Sequence, residues 1–336
     1  MNTEIKKLTT LMQAVQYFSD PDVALQYFVQ FRWPDGVRCP HCGSTGVSFL
    51  ANQRRWQCHT PHPRRQFSAK VGTIFEESPL PLEKWLVAVW LETNAKNSIS
   101  SYELARALGI TQKSAWFLLH RVRYALHVGS FDKKLCGTIE ADETLVGGLA
   151  KNMHKRQRAA KVHGMTGGTH MTPVMGLLAR HDGTNHSTVR TAVLPNRQKE
   201  TLHAVIHQNV DPGSQVYTDS LVGYRGIEST FAHDFVDHAE AYVKDKVVHT
   251  NGLENFWALF KRCIKGTHIS IEPFHLASYV DSEAFRFNNR KVGDGDRFTM
   301  AVQSVSGKRL TYKALIGALE DAPGSDRGEG PRNPLN

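Results

Sequence analysis

The chain has 336 residues, enough for two domains with smaller modules and a sizeable buried core, so a peptide hormone or an isolated binding motif is excluded. Its 41 Lys and Arg against 32 Asp and Glu leave a formal charge of +9 with histidines neutral, which points to a polyanionic partner such as nucleic acid. No apolar run approaches the ~18 residues of a membrane span, and MNTEIKKLTT lacks the features of a secretion signal, so the expected setting is cytoplasmic, on the nucleoid, with no membrane partner.

The segment DVALQYFVQFR, residues 22–32, carries apolar side chains at helical spacing, and Pro34, Asp35 and Gly36 end it in a turn, giving an N-terminal helical segment over 1–36. A cysteine module follows over 37–72. Cys39-Pro-His-Cys42 is a knuckle whose two thiolates can bind one structural Zn²⁺ at about 2.3 Å. Its other half, Cys58-His-Thr-Pro-His62, offers one cysteine and two histidines; three intervening residues give His62 a reach that His59, adjacent to Cys58, lacks. The expected zinc ligands are Cys39, Cys42, Cys58 and His62, in a reducing compartment where a disulfide framework is out of place. Arg38, Arg54, Arg55, Arg64, Arg65 and Lys70 surround them, and this density suits phosphate contacts, assigned to Arg64 and Arg65.

From Pro81 to His127 the pattern is helical with one break at Gly109, which predicts a helix-turn-helix unit over 78–128. Leu104, Ala105, Leu108 and Ile110 form its packing seam, and Thr111 caps the second helix. Gln112, Lys113 and Ser114 then sit where such a helix meets base edges or phosphates, with Arg121 and Arg123 further along; the expected DNA contacts are Gln112, Lys113 and Arg121. After Gly129 the segments CGTIEADE, PVMGLLAR, STVRTAVL and SQVYTDS read as strands, with TLHAVIHQNV a helix, so the fold class is α/β over 132–295. A basic insert, KNMHKRQRAAKVHGMTGGTH, is expected to be a mobile loop that clamps DNA through Lys155 and Arg156. Helical periodicity returns from Thr250 to about Asn289, and 296–336 is expected to be a C-terminal helix and a disordered tail.

Asp142 and Asp219 lie at expected strand ends and Glu254 on a helix. Carboxylates so placed can hold two hard divalent cations, Mg²⁺ or Mn²⁺, against a phosphodiester. Lys261 follows Glu254 by seven residues, two helical turns, which puts its ammonium on the same face; Asn251 lies one turn earlier. Glu140 shares a strand face with Asp142 while Glu143 points to the other, and both suit supporting roles. Phe256, Trp257 and Phe260 read as core.

The segments RWPDGVRCPHCGS, QFSAKVGTIFEESPLPLEKW, IEADETLVGG, YTDSLVGYRG, HTNGLENFWALFKRCIKGTH and EAFRFNNR together resemble, in order over residues 20 to 292, the bacterial insertion-sequence transposases of the DDE type that carry a zinc ribbon before a ribonuclease-H-like core. The resemblance implies metal-dependent cleavage at element ends and joining of 3′ hydroxyls to target DNA. It makes Asp142, Asp219 and Glu254 the metal ligands and Lys261 a phosphate contact, with Asn251 competing for the third slot; an anionic Glu254 is the better Mg²⁺ ligand. Its partners are double-stranded DNA, as terminal inverted repeats and target, and further copies of the chain in a homodimer or larger assembly. Two rivals are a transposase-derived DNA-binding regulator with inert carboxylates and a nuclease that hydrolyses without joining.

Overall fold

The computed structural model describes residues 7–127, 133–148, 153–156, 171–183, 186–236 and 248–318. Most of the basic insert and the tail beyond Asp321 lie outside them. The chain divides into two compact units, one formed by 7–127 with 289–318, the other by 133–288. No helix among the described residues is long and apolar enough to cross a membrane.

The first unit opens with α1 (Leu11–Tyr17) and α2 (Pro21–Arg32). The Asp20 carboxylate accepts from the amides of Asp22 and Val23, and Pro21 pre-sets the first helical turn, so α2 starts where the sequence supplies both signals. An antiparallel ribbon follows, β1 (Val47–Leu50), β2 (Arg55–Cys58) and β3 (Gln66–Phe67). Three helices come next: α3 (Leu82–Asn94), α4 (Ser101–Leu108) and α5 (Gln112–Leu126). Gly109 takes the left-handed conformation between α4 and α5, as its position requires. The helical stretch has a second break that periodicity does not reveal, at 95–100, where Ser100 and Glu103 form a reciprocal capping box that restarts the chain as α4.

In the second unit five strands assemble in the order β6-β5-β4-β7-β8, with β4 (Thr138–Val146) central, β5 (Thr172–Ala179) and β6 (Thr188–Val193) antiparallel on one side, and β7 (Gln215–Asp219) and β8 (Ala232–Val236) parallel on the other. This is the ribonuclease-H-like mixed sheet that the resemblance implies. β8 was not expected: it is an edge strand with Ala232 and Phe235 exposed, so it lacks the inward apolar alternation that betrays a strand. One face of the sheet buries Ile139, Ala141, Met175 and Leu177 against Leu202, Val205 and Ile206 of α6 (Lys199–Asn209). The other buries Val174, Leu178 and Val189 against Leu253, Phe256, Trp257 and Phe260 of α7 (Asn251–Cys263) and Leu276 and Val280 of α8 (Leu276–Asn288). The helical run expected from 250 to 289 is interrupted between them by a π turn at Ile264–His268. The chain then re-enters the first unit, where Phe298 of α9 (Asp294–Gln303) stacks on Tyr27 at 5.9 Å and meets Trp90 at 5.2 Å. A short α10 (Tyr312–Leu315) ends the described chain.

Gly176 on β5 lets α7 lie this close to the sheet. A Cβ there would stand 2.7 Å from Leu253 Cδ2 and 2.8 Å from Trp257 Cζ2, well inside van der Waals contact. Gly176→Ala is therefore expected to destabilise the protein by about 1–3 kcal/mol, the usual magnitude for overpacking, which a thermal or urea melt of purified variant and parent checks; unchanged stability would mean that α7 has slack above β5.

Candidate functional site

In the ribbon, Cys39, Cys42, Cys58 and His62 bring their ligand atoms within 4.8 Å of one another. Cys39 Sγ lies 3.4 Å from His62 Nε2, and Cys42 Sγ 3.6 Å from Cys58 Sγ. Left-handed Gly43 makes the knuckle turn, and β2 presents Cys58 from the opposite side. His59 Nε2 turns away to Ser48 Oγ at 3.2 Å, which settles the choice between the two histidines in favour of His62. Burial resists ionisation of Cys58, but hydrogen bonds from His62, the Thr60 amide and the neighbouring thiols draw it below the usual thiol range. Three sulfurs and one imidazole nitrogen are the donor set of a structural zinc site.

The basic residues divide by burial. Arg64 and Arg65 are exposed and line a groove with His41 and Gln57. Lys70 instead serves the fold, its Nζ donating to the carbonyls of Ser78 and Leu80 at 2.7 and 3.0 Å. Lys113 is exposed beside the Tyr312 ring, whereas Gln112 is half-buried and donates to Ser101 Oγ of α4 at 2.9 Å. Arg121 does not reach solvent: 4 % exposed, it donates to the Glu76 carbonyl and packs against Trp85 and Phe117. Arg123 is likewise buried, with its Nε 2.8 Å from Glu92 Oε1. The expectation that Arg121 and Arg123 face DNA is corrected by this packing: a helix whose apolar stripe is broad buries flanking arginines when a carbonyl or carboxylate stands opposite. Lys155 and Arg156 are exposed; Lys151, Arg158 and Lys161 of the insert lie outside the described residues.

In the second unit Asp142 stands in the middle of β4 rather than at its end, but beyond the stretch paired with β7. The parallel register sets Glu140 opposite Tyr217, and continued two residues it brings Asp142 level with Asp219 at the end of β7. Burial, then the charges of Glu143 and Asp219, push the Asp142 carboxyl up to about 7, although the Trp257 indole N–H donates to its Oδ2 at 3.0 Å. Glu143, on the other strand face, is raised by burial and by Asp219; it accepts from the Tyr224 hydroxyl at 2.5 Å and has Arg197 at 3.9 Å. Asp142 and Asp219 therefore stand level on adjacent strands, with Glu143 as a neighbouring carboxylate.

Glu254 lies on the exposed side of α7, one turn before Trp257 and beside His249, with Lys261 and Asn251 also exposed. Among the described residues the ribbon ligands are the acid, cysteine or histidine group that closes within 4.8 Å; Asp142, Asp219 and Glu254 do not close to that extent. Trp257 does more than fill core, since its indole ties α7 to Asp142. Sequence reading also passed over Arg180 and Tyr224. The first is signalled only by a charged residue ending the apolar run PVMGLLA, the second only by a tyrosine five residues after Asp219.

Two substitutions check the ribbon. His62→Ala is expected to weaken retention of one zinc per chain at least tenfold against a chelator, and His59→Ala to leave it unchanged, measured by metal analysis of the purified protein. Equal losses would mean that both rings can serve the site.

Residues 134–288 match the ISXO2-like transposase domain and residues 19–60 the transposase zinc-ribbon domain. Over 277 residues, 80 % of this chain and 91 % of the relative, the sequence is 25 % identical to an uncharacterized protein in transposable element ISH50 of Halobacterium salinarum. Over 105 residues, 31 % of this chain and 84 % of the relative, it is 33 % identical to an uncharacterized transposase-like protein of Haemophilus influenzae. With its ribbon ahead of a mixed-sheet catalytic domain, the chain belongs to the ISXO2-like transposase family.

Proposed function

We propose that this protein binds the ends of an insertion sequence, cleaves them and joins the 3′ ends to target DNA, with Asp142, Asp219 and Glu254 as the ligands of two divalent cations. The observation that carries the reading is the crowding of Asp142, Glu143 and Asp219 on the adjacent strands β4 and β7, where burial and like charge raise the Asp142 carboxyl to about 7. Such a cluster is costly without a cation and favourable with one, and its oxygen-only donors suit Mg²⁺ or Mn²⁺. Bound there, two such ions would activate the attacking hydroxyl and neutralise charge on the leaving oxygen.

The chain's own residues do the positioning. Trp257 fixes one oxygen of Asp142, and the amide of Leu221 donates to Asp219 Oδ1 at 3.0 Å, orienting that carboxylate. Glu254 is the third ligand in this reading, Asn251 remaining at the helix start. Lys261, on the same exposed side, contacts a DNA phosphate beside the cations. Arg64, Arg65, Lys113, Lys155 and Arg156 add exposed cationic contacts, while Gln112, half-buried and bonded to Ser101, keeps a second N–H and its carbonyl oxygen for DNA. Holding two element ends at once requires a homodimer or larger assembly on DNA.

The test is strand transfer with pre-cut element ends in Mg²⁺. Asp142→Asn and Glu254→Gln are expected to lose at least 10³-fold in rate, the scale on which removal of a central electrostatic group is felt, and Asn251→Ala to stay within about fivefold of the parent; the fivefold bound is our working threshold, set well below that loss. In the same preparations Mn²⁺ should raise the melting temperature of the parent and not of Asp142→Asn, as binding to the folded state alone requires. Full activity in Asp142→Asn would remove the assignment, and cleavage without joined product would favour a nuclease.

A further inference from the structure

Arg180 follows β5, a strand that carries none of the acidic residues, yet its side chain touches β4, β7 and the segment that leads into α7. Its Nε donates to Glu140 Oε1 at 2.8 Å, and Glu140 precedes Asp142 by two on the same face of β4. Its guanidinium stands 4.8 Å over the ring of Tyr217, which precedes Asp219 by two on β7 and is Glu140's partner in the register. Its Nη2 donates to the His249 carbonyl at 2.7 Å and lies 2.8 Å from His249 Nδ1, just ahead of α7. Its own amide donates to Thr138 O at 2.9 Å, which anchors it at the root of β4.

Glu140 extends the same connection into the helix. It is 1 % exposed, and its second oxygen accepts from the Leu253 amide, one of the N-terminal donors of α7 that have no partner within the helix, at 2.9 Å. The fit is close, because a Cβ on Gly252 would stand 2.8 Å from that oxygen. The Asn251 amide also points at His249 Nδ1, at 3.4 Å, so two donors converge on that nitrogen as acceptor. A planar fork of five donors can serve Glu140, His249 and the Tyr217 face at once, which a lysine ammonium cannot.

We propose that Arg180 is a positioning residue for catalysis, setting the distance of α7, and so of Glu254, from Asp142 and Asp219 by fastening together the three elements that carry them. This rests on the carboxylate reading above. It distinguishes a residue that shapes the metal-binding geometry from one that merely stabilises the unit.

The experiment uses the full-length chain carrying Arg180→Lys, which keeps a positive charge against buried Glu140 but gives up the three-way span. A second variant, Arg180→Met with Glu140→Gln, removes both charges together and carries the same test should the first not fold. Mn²⁺ affinity is measured by calorimetry without DNA, and cleavage of an element-end duplex is followed in Mg²⁺ as kcat and KM. The expected result is a folded protein, with zinc content and KM for DNA within twofold of the parent, in which Mn²⁺ affinity and kcat each fall at least tenfold. Parental Mn²⁺ affinity and kcat in a folded variant would overturn the positioning role. Asp142→Asn, run alongside, separates the two claims: if it keeps both properties the carboxylate reading fails and this inference with it, whereas if it loses both while the Arg180 variants keep them, only the inference fails.

Discussion

The second unit depends on how one helix is fastened to one strand. Glu140 and Asp142, two residues apart on β4, both reach α7, the first through the Leu253 amide and the second through the Trp257 indole. These bonds are separated by about one helical turn, so together they fix the rotation of α7 as well as its height above the sheet. A Cβ at Gly176 would press on Leu253 and Trp257 and one at Gly252 on Glu140, so both glycines admit this close approach. Apolar packing of Leu253, Phe256, Trp257 and Phe260 supplies most of the driving force for docking, but apolar contact is not directional, whereas the hydrogen bonds of the two carboxylates are.

That arrangement concentrates negative charge. Glu140 is compensated where it lies, by Arg180, whereas Asp142 has neutral donors, the Trp257 indole and the Glu143 amide, and carries the repulsion of Glu143 and Asp219. Successive positions on one strand face therefore have opposite electrostatic characters, a compensated carboxylate beneath an uncompensated one. Fold stability alone would favour compensation at both, and the crowding at the second is the observation on which the proposed cation site rests.

Much of this was legible in the sequence, and the failures have physical causes. Strands β4 to β7 stand out because their inward positions are apolar, and α6 because Leu202, Val205 and Ile206 share one stripe. Asp142, Asp219 and Glu254 are proposed as ligands from their placement and from the order of the surrounding motifs, and the register of β4 with β7 sets the first two level. Burial of individual cations could not: Arg121 and Arg123 look like surface residues until a carbonyl of Glu76 and the carboxylate of Glu92 are seen opposite them, and those partners are 45 and 31 residues away. The same holds for Arg180, whose partners come from three separate segments. Local spacing did favour His62 over His59, but only the opposing position of Ser48 shows where the rejected ring goes.

The first unit is discontinuous, and this bears on how the protein is made. Phe298 lies against Phe18, Tyr27 and Trp90, so the aromatic cluster begun by the first ninety residues lacks its last member until α9 has left the ribosome. The intervening segment 133–288 is contiguous and holds its own core, so it can mature while its host is still waiting. Synthesis order and folding order are thereby partly inverted, and a message cut short before residue 294 would yield a finished sheet attached to an apolar surface with nothing to cover it.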